Sequence, residues 1–190
     1  MSDPSNEQRQ TAAAAPAGGC LIGGTPPATP EDLLARLEAL GIAQASVEHP
    51  PVFTVAEAKA LRGELPGAHI KNLFLRNKKG AMWLVTCLED RRIDLKDLGE
   101  RLGAGRLSFG SAERLMHYLG VLPGAVTPFA VINDHGGAVT VALDRALLER
   151  DPVNCHPLTN TRTTAIAARD LVRFLEAEGH PPQIIEFGEG

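Results

Sequence analysis

Aromatic side chains are scarce in this sequence: one tryptophan, one tyrosine and six phenylalanines among 190 residues. So few rings exclude an extended platform for stacking RNA bases. An excess of positive charge is missing as well. The formal net charge is −4, which excludes a broad phosphate-binding face and leaves room only for a local contact through a few cations and a pocket. Cysteine is nearly absent. Cys20, Cys87 and Cys155 are too few for a disulfide framework, and without a CxxC or HxxxH spacing no zinc site is expected. Cys155 adjoins His156, but neighbours on an extended chain point to opposite faces and do not readily chelate one ion. No apolar run approaches about 18 residues, and no charged start precedes an apolar stretch, so neither a membrane span nor a secretory leader is read. A reducing, cytoplasmic setting is the expectation. GxSxG, P-loop and GxGxxG patterns are also lacking, and no serine has an obvious base partner.

What remains is an ordinary globular composition, 44% hydrophobic and 22% charged, in a chain long enough for one domain with a full core. Residues 1–29 are rich in Ala, Gly, Pro and Ser or Thr without apolar periodicity. They read as a flexible extension that buries too little surface to order itself. The folded part, residues 30–187, opens at Thr29-Pro30-Glu31-Asp32, an N-cap followed by a first-turn proline and acids. Leu33, Leu34, Leu37 and Leu40 then mark one helical face. Thr54 and Glu57 suit a capping box for a second helix ending near Gly63. Strands are expected over Ile70–Arg76 and Ala81–Leu88, joined through Asn77-Lys78-Lys79-Gly80. Asp94 and Ser111 suit helix N-caps, and Gly103 and Gly120 the corresponding ends. A second hairpin is expected between Ala130–Asn133 and Ala138–Leu143 through Asp134-His135-Gly136-Gly137. A short helix near Arg145–Arg150, extended pieces around Cys155 and Thr163–Ile166, a helix from Ala168 to Glu178 and a strand over Ile184–Phe187 close the pattern. Hairpins and helices intermixed without βαβ alternation give an α+β fold: one domain, a mixed, largely antiparallel sheet and surrounding helices.

Four places can carry chemistry. Period-two alternation puts Lys71 with Leu73 and Leu75, and Asn72 on the other face with Ile70 and Phe74. A lysine on a leucine face is costly to bury unpartnered, so it either snorkels from a sheet edge, the commoner case, or meets an anionic or carbonyl-bearing ligand. Gly124-Ala125-Val126-Thr127-Pro128 is a small-residue loop that lets a ligand approach its backbone, although such loops usually only turn the chain. His156 opens a polar loop through Leu158-Thr159-Asn160-Thr161. It suits proton transfer or substrate positioning, or simply a structural bond to backbone. Arg76, Lys78 and Lys79 cluster at a hairpin tip, where they are solvated or touch phosphates beside a pocket.

Taken in order, several segments resemble the YbaK / prolyl-tRNA synthetase editing-domain superfamily: His49-Pro50-Pro51-Val52-Phe53-Thr54 and Lys71-Asn72-Leu73-Phe74-Leu75. Further segments are similar to its free-standing ProXp-ala (PrdX) branch. These are Leu107-Ser108-Phe109, Ser111-Ala112-Glu113-Arg114-Leu115, Gly120 through Pro128, and His156-Pro157-Leu158-Thr159-Asn160-Thr161. The similarity spans about residues 30 to 187. Each motif is weak alone; their order and spacing are specific.

The resemblance implies hydrolysis of the ester that joins alanine to tRNA(Pro), with no cofactor or metal. The partners it implies are the acceptor end of mischarged tRNA(Pro) and a transient association with prolyl-tRNA synthetase, and neither DNA nor a membrane. Lys71 corresponds to the family's essential lysine, next to Asn72. Gly124, Ala125, Val126, Thr127 and Pro128 match its GxxxP substrate loop, and His156 its motif histidine. Two features go unmatched: residues 1–29 have no counterpart, and Cys155 stands where a bulkier apolar residue is expected. Three other functions share the pattern: a deacylase of the same fold for Cys-tRNA(Pro), a non-catalytic tRNA- or synthetase-binding module, and a small-molecule binding domain.

Overall fold

The computed structural model describes residues 19–51 and 65–187. The helix expected over residues 54–63 lies outside them. Helix α1, Pro30–Ala39, begins as its sequence requires. The Thr29 hydroxyl accepts the Asp32 N–H, the Asp32 carboxylate accepts the Thr29 N–H, and Leu33 and Leu37 face the core. Asp94 caps α2, Leu95–Arg101. Ser111 caps α3, Ala112–Leu119, which Gly120 ends in the left-handed conformation that glycine adopts without strain. Helix α4 is Arg145–Leu148 and α5 is Ala168–Ala177. Ala167 offers no cap for α5, and Asp151 supplies one from a distance, accepting the Ala168 N–H at 2.6 Å.

The strands are β1 (Gln44–Glu48), β2 (Ala68–Asn77), β3 (Met82–Leu88), β4 (Leu107–Phe109), β5 (Val139–Asp144), β6 (Val153–Cys155), β7 (Arg162–Ile166) and β8 (Gln183–Ile185). They form one mixed sheet in the order β1-β7-β6-β2-β3-β5-β8, with β4 beside β2. β1/β7, β2/β3, β2/β4 and β6/β7 run antiparallel, and β2/β6, β3/β5 and β5/β8 parallel.

Period-two alternation gives the sheet two covered faces. Phe74, Met82, Leu84, Val139, Val141 and Leu143 join the main core with Leu33, Leu37, Leu119, Phe129 and Phe174. Leu75, Trp83, Val85 and Ala142 form a smaller cluster with Leu98 of α2 and Leu102 that caps its end. Burial on both sides explains why β3 is apolar almost throughout rather than alternating.

The second expected hairpin does not form. Residues Pro128–Asn133 are a 3-10 helix whose start is capped by Thr127, and Pro128, Phe129, Ala130, Val131 and Asn133 are all buried. Pro128 fixes φ and has no N–H for a ladder, and both edges of β5 are taken, by β3 and β8. The turn itself holds, with the Asp134 carboxylate accepting the Ala138 and Val139 N–H groups. Residues 19–28, which the sequence assigns to the extension, contact the domain. Leu21 is buried, the Ile22 N–H donates to His117 O, and the Ala28 N–H donates to Asn133 Oδ1. Among the described residues, no helix is long and apolar enough to cross a membrane.

Candidate active site

Strand β2 organises the site because it serves both halves of the sheet. Ala68 and His69 pair with β6, and Leu75 to Asn77 pair with β4. Between them, among the described residues, β2 has a strand partner only in β3. His69 O accepts from Glu89 N on the β3 side, whereas Phe74 O accepts from Gly110 N on the other. Alternation therefore aims the N–H and C=O of Asn72 at the unpaired edge.

Lys71 lies on the α2 face, as alternation requires, and its ammonium donates to the main-chain carbonyl of Arg91. Its cross-strand neighbour is Cys87. Burial pushes the Cys87 thiol up to about 11, with nearby Lys71 opposing, Asp144 reinforcing and Arg91 opposing that rise. Burial alone pushes Cys155 up further. Both are neutral packing thiols at neutral pH, not nucleophiles.

Asn72 points to the opposite face. Its Nδ2 donates to Val126 O at 2.9 Å and its Oδ1 accepts the Thr86 hydroxyl at 2.7 Å. One strand thus carries the lysine on one side and the tether of the 124–128 loop on the other. That loop starts as a turn in which the Ala125 N–H donates to Leu122 O at 3.0 Å. Pro123 precedes Gly124, whose φ of +91° is the glycine-favouring position of a type II turn. Ala125, Thr127 and Pro128 are buried, Val126 is half-buried and Gly124 is exposed. The side chains of the buried three serve packing, and the Val126 carbonyl is held by Asn72.

His156 follows β6. The parallel pairing of β2 with β6 covers Ala68–Val153 and His69–Asn154 and ends two residues short of Lys71 and His156. The His156 Nδ1–H donates to Arg162 O at 3.1 Å, which leaves Nε2 as an acceptor. Burial holds its pKa below the ordinary histidine value; the Arg162 carbonyl opposes this and neighbouring His49 adds to it. The two imidazoles lie 6.2 Å apart. His49 is fully engaged, with Nδ1–H donating to Pro50 O and Nε2 accepting from the Thr163 hydroxyl, both at 2.9 Å. In the His156 loop, Leu158 has φ +62°, a strained value for leucine of the kind that marks functional loops.

The expected set therefore divides. Lys71 meets the Arg91 carbonyl on one face of β2, Asn72 and the 124–128 loop are joined on the other, and His156 lies just past β6, bonded to Arg162 O. Sequence reasoning on individual residues passed over Thr86, Arg91 and Asp144. A buried threonine in an apolar strand and an acid ending another were the signals available.

The aminoacyl-tRNA editing domain model matches residues 49–174, more than half of the chain. The chain belongs to the aminoacyl-tRNA editing-domain family. It is an aminoacyl-tRNA hydrolase. Prolyl-tRNA synthetase associated domain-containing protein 1 of Mus musculus is 43% identical over 161 residues, covering 82% of this chain and 95% of that one. Prolyl-tRNA editing protein ProX of Acetoanaerobium sticklandii is 39% identical over 155 residues, covering 81% and 94%. A solved structure described as a candidate trans-editing enzyme for prolyl tRNA synthetase shares the fold, with a TM-score of 0.65, 24% identity and coverage of 85% and 97%.

Proposed function

We propose that this editing-domain protein is a trans-acting deacylase that hydrolyses mischarged Ala-tRNA(Pro) in the cytoplasm, associating transiently with prolyl-tRNA synthetase. The observation that carries the reading is one strand, β2, that presents the Lys71 ammonium on one face and through Asn72 holds the 124–128 loop on the other. The names of two relatives, a prolyl-tRNA editing protein and a prolyl-tRNA synthetase associated domain-containing protein, point to the same tRNA.

An aminoacyl ester is already activated, so no covalent nucleophile is needed. Water adds to the carbonyl carbon, the bond to the ribose oxygen breaks, and that oxygen takes the proton. Free alanine and tRNA with an intact terminal hydroxyl are released. Lys71 orients the terminal phosphate or aminoacyl end and stabilises developing negative charge. His156 Nε2 accepts a hydrogen bond from the bound substrate. The backbone of Gly124, Ala125, Val126, Thr127 and Pro128 seats the terminal adenosine and the amino acid. A neighbouring ribose hydroxyl of the substrate helps place the water.

Steric exclusion rejects proline, whereas losing one methyl group discriminates by only about 1–3 kcal/mol, so Gly-tRNA keeps residual turnover. The test is deacylation of Ala-, Cys-, Ser- and Pro-charged tRNA(Pro) by wild type and Lys71→Ala. Alanine should be released fastest, proline not at all, and Lys71→Ala should lose at least about 10²-fold. Faster release of cysteine would transfer the activity to that substrate. tRNA binding without hydrolysis, or normal turnover by Lys71→Ala, would sink the mechanism.

A further inference from the structure

The Lys71 ammonium is held by a main-chain carbonyl, that of Arg91, in the segment leaving β3. That carbonyl is itself fixed by an anchor on the far strand. Arg91 Nε donates to Asp144 Oδ2 at 2.9 Å, and Nη2 lies 3.5 Å from Oδ1. Asp144 is wholly buried at the last residue of β5. Its Oδ1 also accepts the Ala146 N–H at 3.0 Å, capping α4, and Oδ2 lies 3.5 Å from the N–H of Leu88 at the end of β3. The Arg91 guanidinium further sits 5.8 Å from the centre of the Phe187 ring. A buried carboxylate with such partners is a rigid point, because stripping one away leaves an uncompensated charge. Register brings the three strands together: Lys71 pairs with Cys87, and one step beyond the Thr86–Leu143 pair Cys87 meets Asp144.

We propose that Asp144 and Arg91 are positioning residues for Lys71, fixing the carbonyl that aims its ammonium at the aminoacyl end. This rests on the role given to Lys71 above. A neutral carbonyl suits the task. It occupies one of the three N–H donors and leaves two donors and the full charge for the substrate. Neither residue's side chain acts on the ester; each acts through Lys71.

The experiment is single-turnover deacylation of Ala-tRNA(Pro) with enzyme in excess. The set is wild type, Arg91→Ala, Arg91→Lys, Asp144→Asn, Lys71→Ala and the double variants Lys71→Ala/Arg91→Ala and Lys71→Ala/Arg91→Lys, each with a melting curve. Arg91→Ala should slow hydrolysis by about 10²-fold, the scale of a small misplacement, while tRNA affinity changes less than about threefold. Arg91→Lys, still able to reach Asp144, should recover about tenfold of that loss. Asp144→Asn, weakening the anchor, should fall between. Adding Arg91→Ala to Lys71→Ala should cost nothing further, because residues acting as one unit are not additive. A merely structural role would multiply the two losses instead. That outcome, or a folded Arg91→Ala at wild-type rate, overturns the proposal. If Arg91→Ala melts below the assay temperature, Arg91→Lys decides: a loss that persists in the Lys71→Ala background rejects the proposal. A wild-type rate for Lys71→Ala alone would refute the reading of Lys71 itself and is separately visible.

Discussion

His156 carries its proton at a defined place, since Nδ1–H is committed to Arg162 O. Burial and His49 both disfavour the imidazolium. The neutral ring is the form that accepts a substrate hydrogen bond, so activity is present above its pKa and lost as pH falls through it. The acid limb of kcat/KM should lie below the ordinary histidine value of about 6.5. His49→Gln keeps an amide partner for Thr163 but removes the neighbouring imidazole, and should move that limb upward. A pH–rate profile unchanged by His49→Gln would contradict this assignment. The sequence singled out His156 from its polar loop. Its tautomer was beyond reach there, because the carbonyl that sets it lies six residues on and arrives only when β6 and β7 pair.

On the scale of elements, β2 and the 124–128 loop function as a unit. Asn72 is the clasp, joining Val126 O to the buried Thr86 hydroxyl. Asn72→Ala leaves both partners unsatisfied, at about 1–3 kcal/mol, and frees the loop, so KM for the charged tRNA should rise more than kcat falls. Gly124→Ala forces a side chain into φ +91° and should cost about 1 kcal/mol or more in denaturant titration. Retained stability in Gly124→Ala would argue against the turn. Local signals were sufficient for the capped helices α1, α2 and α3, whose ends are decided by residues three or four apart. They failed for Pro128–Asn133, where short apolar residues suit a strand or a helix. There the outcome followed from Thr127, Pro128 and the absence of a vacant edge on β5.

At the scale of the whole molecule, long-range polar ties hold the sheet to its surroundings. His180, buried after α5, has Nδ1 3.1 Å from Val139 O and Nε2 3.0 Å from Asp134 O. It joins the start of β5 to the segment leading into β8. His180→Ala should remove about 2 kcal/mol of stability and lower Tm by about 4–8 °C; an unchanged melting curve would show that the tie contributes nothing.

By itself the sequence determined the α+β class, the capped helices, the two faces of β2 and the isolation of a lysine among leucines. All follow from interactions between residues close along the chain. Only the tertiary structure decided what Lys71 meets. Arg91 O, 20 positions on, accepts from its ammonium; Asp144, a further 53 on, holds Arg91 through the pairing of β3 with β5; and no local periodicity records those registers. The same registers put Lys71 and the tether of the 124–128 loop on opposite faces of one strand.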